Sequence, residues 1–271
     1  MNIDFCGVSG ADYLSEMKLS RRISKSRMTS TNNQRVDVVR ARPTVLLIAG
    51  FGDDSSMFAG LLETTLADAY DLLAIDLPGF GAPRLQSETT LKLLGEFVSA
   101  KAKEVGAEIV IAHSVASIIA SLAANEPNSP ITTILSLEGN ITAEDAYFSG
   151  SAADYDDPDT FRSVFLTRLE EMSKSQPMIA RYLQVVSQAD PIALWQLGND
   201  AHRFSSKQVP GEVLVSAANV TYLYNPDNCA KSSLDWLKKN PVKQVKLDNA
   251  THWKSVDQPA LLAEKILSAL E

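Results

Sequence analysis

The sequence predicts an α/β fold, a mostly parallel twisted sheet flanked by helices, with a block of helices inserted before the last strands. Three observations lead there. From about residue 43, short apolar runs alternate with amphipathic helical patterns, the rhythm of a parallel sheet with crossover helices. Glycine- and proline-containing turns close the first of these runs. Between about Gly139 and Ser206 the strand rhythm stops, and it then returns.

Taken in order, Thr44–Ala49 (TVLLIA) is a buried-strand run closed by Gly50. A helix over Ser56–Ala69 follows, with Met57, Leu61, Leu62 and Leu66 on one face. Asp71–Leu77 is a second strand, ended by the turn Pro78-Gly79-Phe80-Gly81. Thr89–Val105 is helical, Ala107–Ala112 is a third strand, Val115–Ala124 a helix, and Ile131–Leu137 a fourth strand. In the inserted block, Phe161, Val164, Phe165, Leu169 and Met172 share a face, and Pro177 closes that stretch. Asp190-Pro191 is a helix start, with an aspartate N-cap and proline at the first helical position. Strands Val220–Tyr224 and Val242–Leu247 and a helix over Pro259–Leu270 complete the pattern. The first 42 residues are expected to supply antiparallel edge strands around a turn at Thr31-Asn32-Asn33.

A chain of 271 residues with 45% hydrophobic and 21% charged residues can bury a core without a metal or disulfide staple. Its net charge of -8 argues against non-specific nucleic-acid or membrane-surface binding. The cluster Lys18, Arg21, Arg22, Lys25, Arg27, Arg35, Arg40 and Arg42 reads as solvated positions rather than a docking patch. Two cysteines, Cys6 and Cys229, and three histidines form no metal-ligand spacing. The N-terminus has no signal-peptide pattern, and Ile109–Ala124 is too short and too polar to span a bilayer. A cytoplasmic enzyme acting on a small molecule, without cofactor or metal, is expected. Oligomeric state is not encoded legibly.

The chemistry-bearing pattern begins at Ala112-His113-Ser114-Val115-Ala116, between an apolar strand and an apolar helix. A nucleophile on a sharp strand-to-helix turn needs small residues two before and two after it, because larger side chains would meet the neighbouring backbone. The same turn offers the Val115 N–H at a helix N-terminus. Gly50-Phe51-Gly52 follows the first strand, and the Phe51 N–H is the candidate second oxyanion donor. Asp227 lies just beyond one late strand and His252 just beyond the next, where reacting groups converge in an open parallel sheet. Asp227 is therefore the expected acid, His252 the base and Ser114 the nucleophile. Glu138, ending the fourth strand, is a rival acid for the same reason. Asp76 reads as a structural acceptor for its tight turn. His113 is read as a packing residue pointing away from the nucleophile, and His202 as a surface residue.

The stretches LLIAGFGDDSSMF, AIDLPGFGAP, IAHSVASIIA, LSLEGN, LYNPDN and NATHW resemble the α/β-hydrolase superfamily, over roughly residues 43–271. The order Ser…Asp…His is the one that fold uses. The resemblance implies an α/β-hydrolase core over residues 1–139 and 207–271, and a helical cap over 140–206 that shapes specificity. It implies a serine hydrolase working through an acyl-enzyme, with a small or medium carboxylic ester as substrate. Carbon–carbon, lactone and amide hydrolysis use the same groups. The sequence departs from the pattern in carrying Ala49-Gly50 where His-Gly is common, and alanines at both elbow glycines.

Two readings of another class compete. Gly50-Phe51-Gly52-Asp53-Asp54-Ser55, with Asp76 downstream, imitates a dinucleotide fingerprint. Ser55 in place of the third glycine, and two aspartates that would repel a pyrophosphate, argue against a nicotinamide-dependent oxidoreductase. A non-catalytic hydrolase-like binding protein would ordinarily have lost the nucleophile or the base, and both are present here.

Overall fold

The computed structural model describes residues 42–271. The expected N-terminal edge strands, the Thr31-Asn32-Asn33 turn, Cys6 and all the basic N-terminal cluster except Arg42 lie outside the described residues. Arg42 itself pairs with Asp71 at 2.6 Å.

Among the described residues, six strands form one parallel sheet: β1 (Thr44–Ile48), β2 (Asp71–Ile75), β3 (Ile109–His113), β4 (Thr133–Leu137), β5 (Asn219–Tyr224) and β6 (Lys243–Lys246), in the order β2-β1-β3-β4-β5-β6. The interior strands are apolar on both faces because helices cover both, while β2 and β6 at the edges carry polar residues. Leu46, Val110 and Ile134 stand in register across the sheet and are fully buried. Each contributes about 1.5–3 kcal/mol relative to exposure.

The register positions the chemistry. His113 pairs with Leu137, and Leu137 with Leu223, so the residues that follow leave the sheet along one edge. The Ser114 N–H donates to the Leu137 carbonyl at 3.0 Å, and the Glu138 N–H to the Leu223 carbonyl at 3.0 Å. Both residues are thereby fixed to the neighbouring strand just beyond the ladder.

Around the sheet lie α1 (Leu91–Val105), α2 (Ala116–Ala124), then an inserted helical block, then α6 (Pro210–Ala217), α7 (Lys231–Lys239) and α8 (Pro259–Leu270). The block comprises α3 (Pro158–Ser173), α4 (Pro177–Val186) and α5 (Pro191–Lys207), preceded by two short 3-10 turns. Asp190 caps α5 as its sequence predicts, accepting from the Ile192 and Ala193 amides at 3.0 and 2.9 Å. The block is tied to the core by α5, whose Gln196 and Asp200 accept from the Thr89 and Leu91 amides at 2.8 Å each. These side chains supply acceptors to N–H groups that a helix start leaves without backbone partners.

Three local expectations change. Ser56–Ala69 is not one helix but two 3-10 turns and a single α turn, broken at Gly60, whose backbone sits against Pro259. Pro177 opens α4 at its first position rather than merely ending α3, since its missing N–H costs nothing there. On α3 the buried stripe is Phe161, Phe165 and Leu169, at four-residue spacing, and Val164 faces solvent.

Candidate active site

The loop after β3 turns at Ser114, which adopts φ +54°. A left-handed backbone at a non-glycine residue costs about 1–3 kcal/mol and persists only where its surroundings enforce it. Here the enforcement comes from the Leu137 carbonyl and from fully buried Ala112 and Ala116 on either side. Gly50 is required alongside: a Cβ there would lie 2.8 Å from His113 Nδ1 and 3.1 Å from Ser114 Cβ. The Phe51 and Val115 amides, the two expected oxyanion donors, donate no hydrogen bond within the described residues.

His252 follows β6 in a loop, and its ring Nδ1 lies 2.7 Å from Glu138 Oε2. This corrects the expected pairing: the imidazole meets Glu138 and not Asp227, which is exposed and whose amide donates to Asn225 Oδ1 at 3.2 Å. The reason lies in how the loop after β5 turns. Asn225 is buried, with its amide on Glu138 Oε1 at 2.9 Å and its side chain on the Ala250 carbonyl at 2.9 Å. Asn228 adds an amide donor to Glu138 Oε1 at 3.1 Å. Two asparagines thus face the glutamate, and the turn between them carries Asp227 outward.

Glu138 also meets Lys254 Nζ at 2.6 Å, an ion pair of two nearly inaccessible side chains. Burial alone would raise the Glu138 pKa. The hydrogen bond from His252, the Lys254 charge and the Asn225 amide outweigh it and hold the carboxyl at about 2. It is a carboxylate at neutral pH. Because that carboxylate needs a donor, Nδ1 carries the ring proton and Nε2 is left as the free nitrogen. The buried Lys254 is pulled down by desolvation, against the opposing pull of Glu138.

His113 does not simply point away. It is buried, and its Nε2 lies 3.0 Å from the His252 carbonyl, so Nε2 is the protonated nitrogen and steadies the loop that carries His252. Burial first, then the His252 and Lys254 charges, drive its pKa well below the usual histidine value, so the ring is neutral.

Ser114, His252, Gly50 and Phe51 line one cavity of about 20 Å³, together with Phe148 and Tyr182 from the inserted block. No hydrogen bond joins Ser114 to His252 within the described residues; they meet as walls of this cavity. Asp53, also a wall, is clamped by Arg181 of α4 at 2.5 Å to each oxygen and accepts from Trp253 Nε1 at 3.1 Å. The Tyr182 hydroxyl donates to the Phe51 carbonyl at 2.6 Å. Asp76 accepts from the Ser55 amide at 2.8 Å, across the loop after β1 rather than within its own turn. His202 is exposed and Met57 and Phe58 are core.

Sequence reasoning missed Lys254, Asn225, Asn228 and the Asp53–Arg181 pair. A lysine two residues beyond the histidine has the pattern of an ordinary exposed residue, and nothing local marks it. The dinucleotide imitation finds no support in the backbone, because the glycine loop runs into a four-residue 3-10 turn and Asp53 is already committed to Arg181. Among the described residues no cluster of three histidine, cysteine, aspartate or glutamate side chains is placed to hold a metal ion, and no helix is long and apolar enough to cross a membrane.

Residues 45–265 match the family model described as the alpha/beta hydrolase family. In fold, the chain is similar to a thermophilic esterase from Thermogutta terrifontis, with a TM-score of 0.67 at 16% identity over 85% of this chain and 90% of that one. It is also similar to an N-acyl homoserine lactonase, AidH, in a complex with N-butanoyl homoserine, with a TM-score of 0.64 at 16% identity over 84% of this chain and 88% of that one. Among curated proteins, 97 residues are 40% identical to the dihydrolipoyllysine-residue acetyltransferase component of an acetoin cleaving system from Cupriavidus necator. That match covers 34% of this chain and 25% of the relative, so the chain spans about a quarter of the relative's length.

Proposed function

The chain belongs to the alpha/beta hydrolase family, and from that premise we propose that it is a serine hydrolase of small carboxylic esters, working through an acyl-enzyme with Ser114 as nucleophile, His252 as base and Glu138 as the acid that orients it. In this reading residues 140–206 form the cap over the core. The observation that carries it is the 2.7 Å contact between His252 Nδ1 and Glu138 Oε2, on a ring that shares a cavity with Ser114.

Ser114 Oγ attacks the ester carbonyl carbon as His252 Nε2 takes its proton. Glu138 holds Nδ1–H, so the ring stays in the tautomer that can accept, and the carboxylate stabilises the imidazolium that forms. The Phe51 and Val115 amides receive the oxyanion, each worth about 3–4 kcal/mol of transition-state stabilisation. His252 then passes its proton to the leaving oxygen, the carbon–oxygen bond to the alcohol breaks, and water repeats the sequence to free the acid.

The test is labelling by a fluorophosphonate probe together with ester turnover. Wild type should be labelled and active, and Ser114→Ala should lose both with its fold intact. Full turnover by Ser114→Ala ends this reading. Lactones, amides and carbon–carbon substrates run beside the esters would show whether another bond is preferred.

A further inference from the structure

We propose, resting on the serine-hydrolase reading above, that the enzyme selects its substrate by the alcohol half: an acetyl-sized acyl group fits the cavity, and an extended apolar alcohol lies in an adjoining groove. The cavity at Ser114 has about 20 Å³, room for one water molecule and so for a group the size of a methyl. Its ceiling is braced. The Phe148 ring stacks on Tyr182 at 6.0 Å and meets Phe165 edge-on at 5.7 Å, while Phe51 meets Phe165 at 5.9 Å. Tyr182 is further held by its bond to the Phe51 carbonyl. A longer acyl chain would have to displace several interlocked rings at once.

A groove of about 460 Å³ opens beside it, lined by Met172, Pro177, Met178 and Ile179 and sharing Tyr147, Phe148, His252 and Trp253 with the cavity. Neither Ser114 nor Gly50 nor Phe51 reaches it. That asymmetry decides which half goes where. The acyl carbon must sit at Ser114 with its oxygen at the Phe51 and Val115 amides, all on the cavity side. The leaving oxygen must sit at His252, because that ring gives it the proton as the carbon–oxygen bond breaks. What is attached to that oxygen continues past His252 into the groove. Its lining includes unbranched methionine and aliphatic carbon, which adapts to a flexible hydrocarbon chain rather than to one rigid shape.

The test uses two ester series with the full chain: acetates of straight-chain alcohols, and methyl esters of straight-chain acids. For the acetates, kcat/KM should rise about fourfold per methylene until the groove is filled, the factor that burial of one CH2 supplies. For the methyl esters it should fall at least about tenfold between acetyl and butyryl, the order of discrimination that one or two methylenes give. Met178→Glu should flatten the alcohol series to below about twofold per methylene, and Glu170→Gln, exposed on α3, should not. A rise with acyl length and a flat alcohol series would overturn the proposal. So would wild-type labelling by the fluorophosphonate with no slope in either series, and in that case the serine-hydrolase reading survives. Loss of labelling and turnover dependence on Ser114 would instead sink that reading itself.

Discussion

Replacing Glu138 by glutamine separates the two candidate acids and has a magnitude that follows from the contacts. The carboxylate receives His252 Nδ1 at 2.7 Å, Lys254 Nζ at 2.6 Å and the Asn225 amide at 2.9 Å. A glutamine keeps one acceptor oxygen, which the lysine and the Asn225 amide claim on the Oε1 side. It therefore turns its NH2 toward His252, and that nitrogen can pair only with an unprotonated Nδ1. The ring is driven into the tautomer with its proton on Nε2, where it cannot accept from Ser114. Turnover should fall by about 10⁴, as an acid-to-amide change does in a serine triad. Stability should fall too, because Lys254 keeps its charge in a buried site without a counterion, a loss of about 3–5 kcal/mol. A melt should drop by roughly 10 °C for a chain of this size. Adding Lys254→Met to Glu138→Gln removes the stranded charge, so the melting temperature should recover while activity does not. The assay is acetate-ester kcat/KM beside thermal unfolding by circular dichroism, with Asp227→Asn as the companion variant expected within about twofold of wild type, as for an exposed residue that lines neither the cavity nor the groove. Equal loss in Asp227→Asn, or more than a tenth of the activity left in folded Glu138→Gln, would refute the reasoning.

The low Glu138 pKa also makes an acid-stability prediction. Its shift from 4.5 to about 2 stabilises the fold by about 3 kcal/mol above pH 4.5, and that contribution is lost as the pH falls through 2, which acid unfolding of wild type against Glu138→Gln/Lys254→Met should register. His113 works in the same direction at higher pH. Unfolded, it takes a proton below about pH 6.5 that the buried ring refuses, so stability should decline by about 1.4 kcal/mol per pH unit below that point, and denaturant titrations of His113→Asn should show a shallower decline. Arg181→Leu strands Asp53, whose pKa burial already raises. The variant should lose about 3 kcal/mol near neutrality and less at pH 5, where Asp53 can take up a proton, readable from melting curves at the two pH values. Gly198→Ala puts a Cβ 2.5 Å from Ala152 Cβ and 2.6 Å from the Ser149 carbonyl, so a loss of about 1–3 kcal/mol is expected in the same assay.

The interior of the sheet was legible because strands buried on both faces are mostly apolar, with few polar residues such as Ser136 and Thr221. TVLLI and IVIAH announce themselves, and the Asp190-Pro191 cap is equally local. The helix expected over Ser56–Ala69 failed because apolar spacing persists through 3-10 turns; the run is interrupted at Gly60, which lies close to Pro259, far along the chain. That Ser114, His252 and Phe51 line one cavity could be anticipated because each stands at a strand end. Choosing between Asp227 and Glu138 could not be done that way, since both do. The choice rests on the direction in which the Asn225 turn carries its neighbours, a property of the folded loop.

Arg181 and Tyr182 are consecutive residues of α4, and each grips the segment after β1, one through the Asp53 carboxylate and one through the Phe51 carbonyl. A roof bolted to the floor at that point cannot swing up alone. Raising α4 would drag the Phe51 peptide with it, so in the proposed mechanism, where that amide faces the oxyanion, admission by that path and bond cleavage would have to alternate in time. In the proposed reaction a long alcohol would leave sideways, past His252, with those bolts still fastened, and the next molecule of water would meet a pocket still set for chemistry.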